Sequence, residues 1–376
     1  MGREAWNPLS SVWRGALAGG LLALGLALAL RAPGAAAGLI PANAPAEPPH
    51  ARVLLYHRVG DTRHPSTNVS TEAFRAQLQW LRDNGFTVVS TERLEAFLLR
   101  GEPLPERAVA IHFDDGYRSV YENALPVLRE FGHPFTVLLP TEALDRGYPD
   151  YMTWEMVGEL AGAGASFGAH GHRHLRLGAP EQGEPAEAYV RRIREELREG
   201  AERLKRRGID ARWVAYPYGE YNDTVLREAR EAGFALGFSQ DAGALGRGHD
   251  PLWLPRFAVV GTVAEMATFT ERMGYLPLVL SDQTPPAGPV PGGALPARLS
   301  AAVAEPHEYR PDTVNVFVSE LGRRESRFDP AGGRIEAQGD AILSRRLNRV
   351  LVTLRHGPTG RFALGSWLLV HPEGAP

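Results

Sequence analysis

The sequence predicts an α/β fold: a distorted (β/α) barrel of about seven strands, followed by a small, mostly β C-terminal domain. Three observations predict it. Between residues 53 and 275, short apolar runs alternate with amphipathic stretches, as in a parallel sheet covered by helices. About seven such units suit closure into a barrel better than a small open sheet. After residue 276 the alternation stops, and short β-like runs separated by Gly/Pro turns follow.

The N-terminal residues 1–37 have the pattern of an export signal. A basic, polar start precedes an uncharged run rich in Leu and Ala at residues 15–30, and Ala35-Ala36-Ala37 fits a signal-peptidase site. The apolar run is shorter than the roughly 20 residues that span a bilayer. We therefore expect an exported, periplasmic protein, with a retained inner-membrane anchor as the alternative. Residues 38–50 are rich in Pro and Ala and predict a linker.

The elements of the predicted barrel domain, residues 51–275, follow from apolar spacing. The helix at 71–84 is typical, because Phe74, Leu78 and Leu81 recur at helical spacing and Gly85 provides a stop. Strands are predicted at 53–56, 86–89, 108–113, 134–139, 166–169, 213–216, 234–238 and 254–259, and further helices at 91–100, 120–131, 154–163, 186–207, 223–232 and 263–273.

The last hundred residues predict a linker and a β-rich domain. Residues 276–300 are rich in Pro and Gly and predict the linker. Residues 301–376 predict the C-terminal domain, whose partner the sequence leaves open. Its predicted strands are 313–321, 341–343, 349–354 and 361–370.

Composition excludes several kinds of site. The 376 residues contain no Cys, which excludes disulfides, thiolate nucleophiles and Cys-ligated metal centres. A catalytic metal must therefore be held by His, Asp or Glu. The formal net charge of −3 implies no nucleic-acid partner.

Two adjacent carboxylates, Asp114 and Asp115, directly follow the apolar strand at 108–113, in the run FDDGY. In parallel α/β folds this end of a strand faces the active site. Neighbouring residues there point in different directions, so one carboxylate can bind a metal while the other accepts a proton. The alternative is that one of them caps the helix that follows.

Three histidines lie within five residues, in HGHRH, directly after the strand at 166–169. His170 and His174 can face one cation if the segment makes a helical turn. With one Asp they would form a His₂-carboxylate set with open positions for water and substrate. His172 would then point elsewhere. The alternative is a solvated polar loop.

Three weaker signals also lie at predicted strand ends. The backbone N–H of Tyr218, in PYG, can face an oxyanion, or the segment is a plain turn. His57 ends the first strand and is an acid/base candidate, or a structural histidine. Arg256 can pair with an active-site carboxylate, or lie at the surface.

Taken in order, FDDGY, H-x-x-x-H and PYG resemble three motifs of the NodB-homology polysaccharide deacetylases, carbohydrate esterase family four. The opening VLLYHRV, the form YPYGEYN and the late LPRF are most similar to the exported poly-N-acetylglucosamine deacetylases. The resemblance covers about residues 52–275. It implies metal-dependent release of acetate from a polysaccharide that contains N-acetylglucosamine.

The resemblance also implies roles for single residues. Asp115, His170 and His174 would bind a divalent metal, expected to be zinc, with Co²⁺ or Ni²⁺ as alternatives. Asp114 would be the general base, and His57 the acid that protonates the leaving amine.

The remaining implied roles concern the oxyanion and the sugar. The Tyr218 N–H would stabilise the oxyanion together with the metal. Tyr218 and Trp154, in YMTWEM, would contact the sugar. Ala215-Tyr216 stands before PYG where many family members have Arg, so Arg256 is expected to orient the base instead. The family's late Leu-x-x-x-His motif is also absent, which makes His57 the expected acid and His249 the alternative.

Other functions fit the same residues. One is a non-catalytic glycan-binding or scaffold protein on this fold, and another is a deacetylase of peptidoglycan or of O-acetyl esters. The presence of both carboxylates and both spaced histidines favours the enzyme, because a purely binding protein has no need of them.

Overall fold

The computed structural model describes residues 47–375, so the predicted export signal and most of the predicted linker at 38–50 lie outside the described residues. In the described part, the first strands belong mainly to one curled sheet. They are β1 (His50–Tyr56), β2 (Arg58–Val59), β3 (Asn68–Val69), β4 (Thr87–Val88), β5 (Ala108–Phe113), β6 (Phe135–Leu139), β7 (Ala165–Ala169), β8 (Trp213–Ala215), β9 (Leu236–Phe238), β10 (Leu245–Gly246) and β11 (Phe257–Ala258).

The sheet has the order β10-β1-β5-β6-β7-β8-β9, and all its neighbours are parallel except β10 and β1. The chain from Leu254 to Ala258 contacts strands near both ends of this order: Leu254 forms a bridge with Phe238 of β9, and β11 pairs with β1, the neighbour of β10. All six residues of β5 are buried, as expected for a central parallel strand covered on both faces. The predicted α/β barrel fold is confirmed.

Helices cover the outside of the sheet, and apolar stripes attach them to it. In the first helix, Ser70 caps the N-terminus by accepting the N–H of Ala73, while Phe74 and Leu78 are buried. The helices are α1 (Thr71–Asp83), α2 (Thr91–Arg100), α3 (Leu125–Phe131), α4 (Thr141–Asp145), α5 (Trp154–Gly162), α6 (Ala186–Arg206), α7 (Asp223–Glu231) and α8 (Met266–Arg272). A π-helical turn at Val120–Ala124 precedes α3, where the sequence predicted one continuous helix.

Two further sheets, mostly antiparallel, follow the barrel, with orders β12-β21-β20-β16-β17 and β13-β15-β19-β18. Their strands are β12 (Leu276–Pro277), β13 (Leu280–Thr284), β14 (Gly288–Pro289), β15 (Arg298–Val303), β16 (Tyr309–Val318), β17 (Gly322–Arg324), β18 (Ser326–Asp329), β19 (Arg334–Gln338), β20 (Leu347–His356) and β21 (Phe362–Val370). They share an apolar core around Trp367 and Val352. This agrees with the predicted β-rich C-terminal part.

The segment at residues 276–300, predicted as a linker, contains strands. Here β12 and β14 pair with β21, and β13 pairs with β15. Both Pro277 and Pro289 lie in two-residue strands along one side of β21, where a missing N–H costs little pairing. The high proline content therefore led to the prediction of a linker, whereas the segment contains short edge strands. The short strand predicted at 341–343 is only a bridge between Ile342 and Ala294.

Within residues 47–375, none of the helices combines the length and apolar character that crossing a membrane requires.

Candidate active site

The carboxyl ends of the parallel strands bring the predicted site residues together. Asp114 and Asp115 follow β5, His170 follows β7, and the turn with Tyr218 follows β8. His57 follows β1, the neighbour of β5 in the sheet. Because parallel strands end at one edge of a barrel, residues far apart in the chain meet there.

Asp115, His170 and His174 form a compact trio of electron-pair donors. Asp115 Oδ1 lies 3.3 Å from His170 Nε2 and 3.1 Å from His174 Nε2, and the two Nε2 atoms are 3.2 Å apart. His170 Nδ1 lies 2.8 Å from the carbonyl oxygen of Ala215. Since a carbonyl only accepts, Nδ1 carries a hydrogen, and Nε2 is the atom that offers a lone pair to a cation whenever the ring is neutral.

This trio fits a divalent metal. Its ligand atoms all lie within 4.8 Å of one another, and two imidazoles with one carboxylate leave positions open for water or substrate. Burial alone would raise the pKa of Asp115, but His174 and His170 outweigh it and lower the pKa well below its usual range. The carboxylate is therefore ionised and able to bind a cation.

The loop that carries the two histidines is not the helical turn that the sequence analysis assumed. Gly171 and His174 both have left-handed backbone conformations, with φ of 73° and 59°. Glu196 of α6, which is buried, accepts the N–H groups of Arg173 and Leu175. A Cβ at position 171 would lie 2.5 Å from Glu196 Oε1, so only glycine fits there. The loop is thus shaped by a carboxylate from a distant helix.

Asp114 and Arg256 form a fully buried ion pair. Arg256 donates from Nη1 to Asp114 Oδ1 at 2.8 Å and from Nη2 to Oδ2 at 2.7 Å, and both side chains have no exposed area. Arg256 Nε also donates to the carbonyl oxygen of Ser239 at 2.8 Å. Arg256 is therefore not a surface residue. Two parallel bonds hold the Asp114 carboxylate in one orientation.

The charges around Asp114 keep it ionised. Burial would raise its pKa, but Arg256 and then His170 outweigh burial, and the pKa is lower than usual. The helical stretch after β5 begins at Arg118, and in the described residues no backbone N–H of it donates to the side chain of Asp114 or Asp115. Asp114 is instead bonded to Arg256, so the alternative reading of the carboxylates as helix caps is wrong.

His57 lies beside the two carboxylates. Its Nδ1 is buried and has no hydrogen-bond partner in the described part of the chain. Burial lowers the pKa of His57, opposed by the charges of Asp115 and Asp114. His249, the alternative acid, lies next to Gly246, which pairs with His50 at the opposite end of β1. Of the two histidines, only His57 is at the site.

Aromatic rings surround the trio. The ring of Tyr218 lies 4.6 Å from that of His174, and its backbone has φ of 59° in the 3₁₀ turn Pro217–Gly219. Tyr117 and Tyr151, which the sequence analysis did not name as site residues, have ring centroids 5.1 Å apart. Burial and then the charge of Asp115 raise the pKa of both hydroxyls, so both stay protonated. Both tyrosines stand in motifs that the sequence analysis quoted, FDDGY and YMTWEM, and this position in the sequence could have identified them as site residues.

Trp154 is the first residue of α5, three residues after Tyr151. Its Nε1 donates to Asp145 at 3.0 Å, and the guanidinium of Arg207 lies 4.5 Å from its ring centroid. Its polar and ring contacts in the described residues are with these two side chains. Contact with a sugar remains a prediction for Trp154.

Comparison with known proteins identifies the class of domain that carries these strand ends. Residues 101–237 match the family model described as polysaccharide deacetylase. This stretch is therefore a polysaccharide deacetylase domain, which supports an enzyme of this class. The matched residues include Asp114, Asp115, His170 and His174, but not His57, Arg256 or the C-terminal strands.

Two relatives illustrate how similar this chain is to known proteins. The putative polysaccharide deacetylase YxkH of Bacillus subtilis is 28% identical over 197 residues, covering 52% of this chain and 66% of the relative. The poly-β-1,6-N-acetyl-D-glucosamine N-deacetylase of Escherichia coli is 29% identical over 228 residues, covering 50% of this chain and 34% of the relative. The match thus spans less than two thirds of either relative.

Solved structures agree with the fold. IcaB from Ammonifex degensii superimposes with a TM-score of 0.51 and 28% identity, covering 58% of this chain and 94% of that structure. The Streptococcus pyogenes deacetylase PplD superimposes with a TM-score of 0.54 and 23% identity, covering 60% and 99%.

Proposed function

We propose that the protein hydrolyses N-acetyl groups of a polysaccharide that contains N-acetylglucosamine and releases acetate, with a divalent metal, zinc first, held by Asp115, His170 and His174. The observation that carries the proposal is the arrangement of this trio next to the Asp114–Arg256 pair. The relative named as a poly-β-1,6-N-acetyl-D-glucosamine N-deacetylase supports the choice of substrate.

The roles of the residues follow from their positions. A divalent metal, when bound, supplies Lewis-acid polarisation of the acetamide carbonyl and of water. Asp114 accepts the proton of the attacking water, because its carboxylate is ionised and fixed by Arg256. The N–H of Tyr218 lies in the first turn of a 3₁₀ helix, where N–H groups have no partner within the helix, and it stabilises the oxyanion.

His57 donates a proton to the leaving amine. A lowered pKa makes the protonated ring a stronger acid, which suits this transfer, although it leaves less of the ring protonated at neutral pH. The aromatic side chains of Tyr218, Tyr151 and Trp154 would contact the sugar, since flat apolar rings match the faces of a pyranose.

The test is acetate release from three substrates: poly-N-acetylglucosamine, chitooligosaccharides and peptidoglycan, each with and without a chelator. We expect release from poly-N-acetylglucosamine that the chelator abolishes and added Zn²⁺ restores, with Co²⁺ and Ni²⁺ as the comparison metals. Release of acetate from peptidoglycan alone would make peptidoglycan the substrate instead, and the proposed deacetylation reaction would still hold. Folded protein that binds no divalent metal and releases no acetate would favour the glycan-binding alternative.

We further propose that the protein acts after export, in the periplasm, and that it consists of a deacetylase domain at 51–275 and a C-terminal β part. Residues 1–37 carry the first proposal through their signal-like pattern. Cell fractionation tests it: we expect a shortened chain in the periplasm, whereas full-length protein in the membrane fraction would indicate the anchor instead.

A further inference from the structure

The C-terminal strands β20 and β21 face two cores at once. Along β21, Leu364, Leu368 and Val370 join the core of the barrel, while the alternate residues Trp367 and Leu369 join the core of the C-terminal sheets. Such alternation follows from the two-residue period of a strand. The barrel therefore packs directly against the C-terminal sheet.

The same period makes Arg349 of β20 face the barrel. Leu347 and Leu351, two residues to either side, pack against the barrel core. Arg349 Nε donates to Asp241 Oδ1 at 3.1 Å, and the aspartate is fully buried. An arginine of the C-terminal sheet thus neutralises a buried carboxylate of the barrel.

Asp241 connects this arginine to the site. Its other carboxylate oxygen accepts hydrogen bonds from the Tyr221 hydroxyl and from Trp253 Nε1, the latter at 2.8 Å. Its backbone carbonyl accepts the N–H of Arg256 at 2.9 Å. Arg256 in turn holds Asp114. Asp241 and Arg256 therefore connect Arg349 to the proposed base.

A second arginine, Arg346, supports the turn that contains Tyr218. It donates from Nε and Nη2 to the two carboxylate oxygens of Glu220, at 3.0 and 3.2 Å, and Glu220 has no exposed side-chain area. Glu220 also accepts Arg176 Nη1 at 2.6 Å. The guanidinium of Arg176 lies 4.1 Å from the ring centroid of Tyr218. Arg346 therefore fixes the carboxylate that aligns Arg176 under Tyr218.

The turn itself touches Arg349. Gly219 has φ of 68°, and a Cβ there would lie 2.6 Å from Gln240 Cβ and 2.9 Å from Arg349 Nη2. Backbone and guanidinium are thus in close contact at the residue next to Tyr218. Both arginines thus contact the four-residue stretch from Pro217 to Glu220, Arg349 at Gly219 and Arg346 at Glu220.

We infer that Arg346 and Arg349 are positioning residues for deacetylation, so that the C-terminal sheet completes the site by holding the Tyr218 turn in place. The expected effect on acetate release rests on the proposed function, whereas the expected effect on the conformation of the turn does not depend on it. Buried guanidinium–carboxylate pairs have one favoured geometry and therefore fix the backbone that carries them. The family match ends at residue 237, so both arginines lie outside it.

The test compares full-length Arg349→Met and Arg346→Met with the control Arg327→Met, which removes an exposed partner of Glu336 in the C-terminal sheets. We expect kcat for acetate release to fall at least about tenfold in both variants with KM within about twofold, because a misplaced oxyanion donor affects mainly the transition state. Arg349→Lys should recover part of the loss. The control should behave like the wild type.

Hydrogen exchange of residues 216–221 gives a readout that needs no activity. The N–H groups of Gly219 and Glu220 donate hydrogen bonds to the carbonyl oxygens of Tyr216 and Pro217. These N–H groups therefore exchange slowly as long as the turn keeps its conformation. We expect faster exchange there in the methionine variants, a smaller increase in Arg349→Lys, and no change in the control.

The outcomes separate the two proposals. Wild-type protein that releases no acetate would contradict the proposed function, and exchange at the turn would still decide the inference. Unchanged exchange and unchanged kcat in both methionine variants would overturn it, as would an equal loss in the control. If a methionine variant does not fold, Arg349→Lys decides: exchange and kcat equal to the wild type overturn the inference.

Discussion

The buried Asp114–Arg256 pair permits a quantitative prediction for Arg256→Met. Methionine retains much of the volume but removes three hydrogen bonds, two to Asp114 and one to the Ser239 carbonyl. It leaves a carboxylate with no exposed area and without its counter-charge. Breaking one partner of such a pair costs about 3–5 kcal/mol in the free energy of unfolding. In a domain of this size, that corresponds to a fall in Tm of about 6–20 °C.

Urea unfolding of the metal-free protein measures this free energy, and acetate release is followed in parallel. The double variant Arg256→Met with Asp114→Leu removes both charges, so it should recover much of the about 3–5 kcal/mol that the unpaired carboxylate costs in Arg256→Met alone. It should nevertheless remain inactive, because it lacks the base. The exposed pair Arg146–Glu142 provides the control, and Arg146→Met should leave the free energy of unfolding unchanged within the error of the measurement.

A loss of less than about 1 kcal/mol in Arg256→Met would contradict this prediction, since an unpaired carboxylate without water destabilises the fold by more than that. Wild-type acetate release by Arg256→Met would contradict it as well, because Asp114 would then need no orientation.

Further predictions concern the base, the acid, the histidine loop and pH. Asp114→Asn should reduce acetate release by about 10²–10⁴-fold with metal still bound, measured by metal analysis. His57→Ala should also lower turnover with metal retained. Gly171→Ala should weaken metal binding in a titration, because its Cβ meets Glu196. The prediction for pH concerns Glu320. Burial alone would raise the pKa of Glu320, but hydrogen bonds, the first of them from the Ser344 hydroxyl, lower this pKa from 4.5 to about 2. A lowered folded-state pKa stabilises above pH 4.5, so Tm should fall between about pH 4.5 and 2, less steeply in Glu320→Gln.

Each of these has an opposing result. Full activity of Asp114→Asn would remove the assignment of the base, and loss of metal from His57→Ala would make His57 a ligand. Wild-type metal affinity in Gly171→Ala would show that the loop relaxes away from Glu196. An identical dependence of Tm on pH in Glu320→Gln and wild type would show that this carboxylate contributes nothing.

Elements with strong local signals agree with the structure most closely. The predicted helix at 91–100 and strand at 108–113 have the bounds of α2 and β5, because an amphipathic period or a continuous apolar run indicates burial residue by residue. The segment at 276–300 differs, because its strands are short and take their partners from β21 and from β15, at the end of the segment. Such pairing leaves no period within the segment itself.

The candidate site divides in the same way. Asp114, Asp115, His170 and His174 stand in short motifs, so the chain order shows them without any coordinates. Glu196 stands in a highly charged helix, and nothing nearby in the sequence distinguishes its carboxylate from the exposed ones around it. Its burial and its bonds to the histidine loop arise only when α6 packs against β7.

Residue types and local spacing alone therefore settled the fold class, the absence of thiol chemistry and the residues available to hold a metal. Those properties depend on side-chain chemistry and on neighbours within a few positions. Folding decided which arginine pairs with Asp114, 142 residues away, and which face of β20 presents Arg349 to the barrel. Buried ion pairs need complementary charges at one point in space with water excluded, and only the packing of distant strands provides that condition.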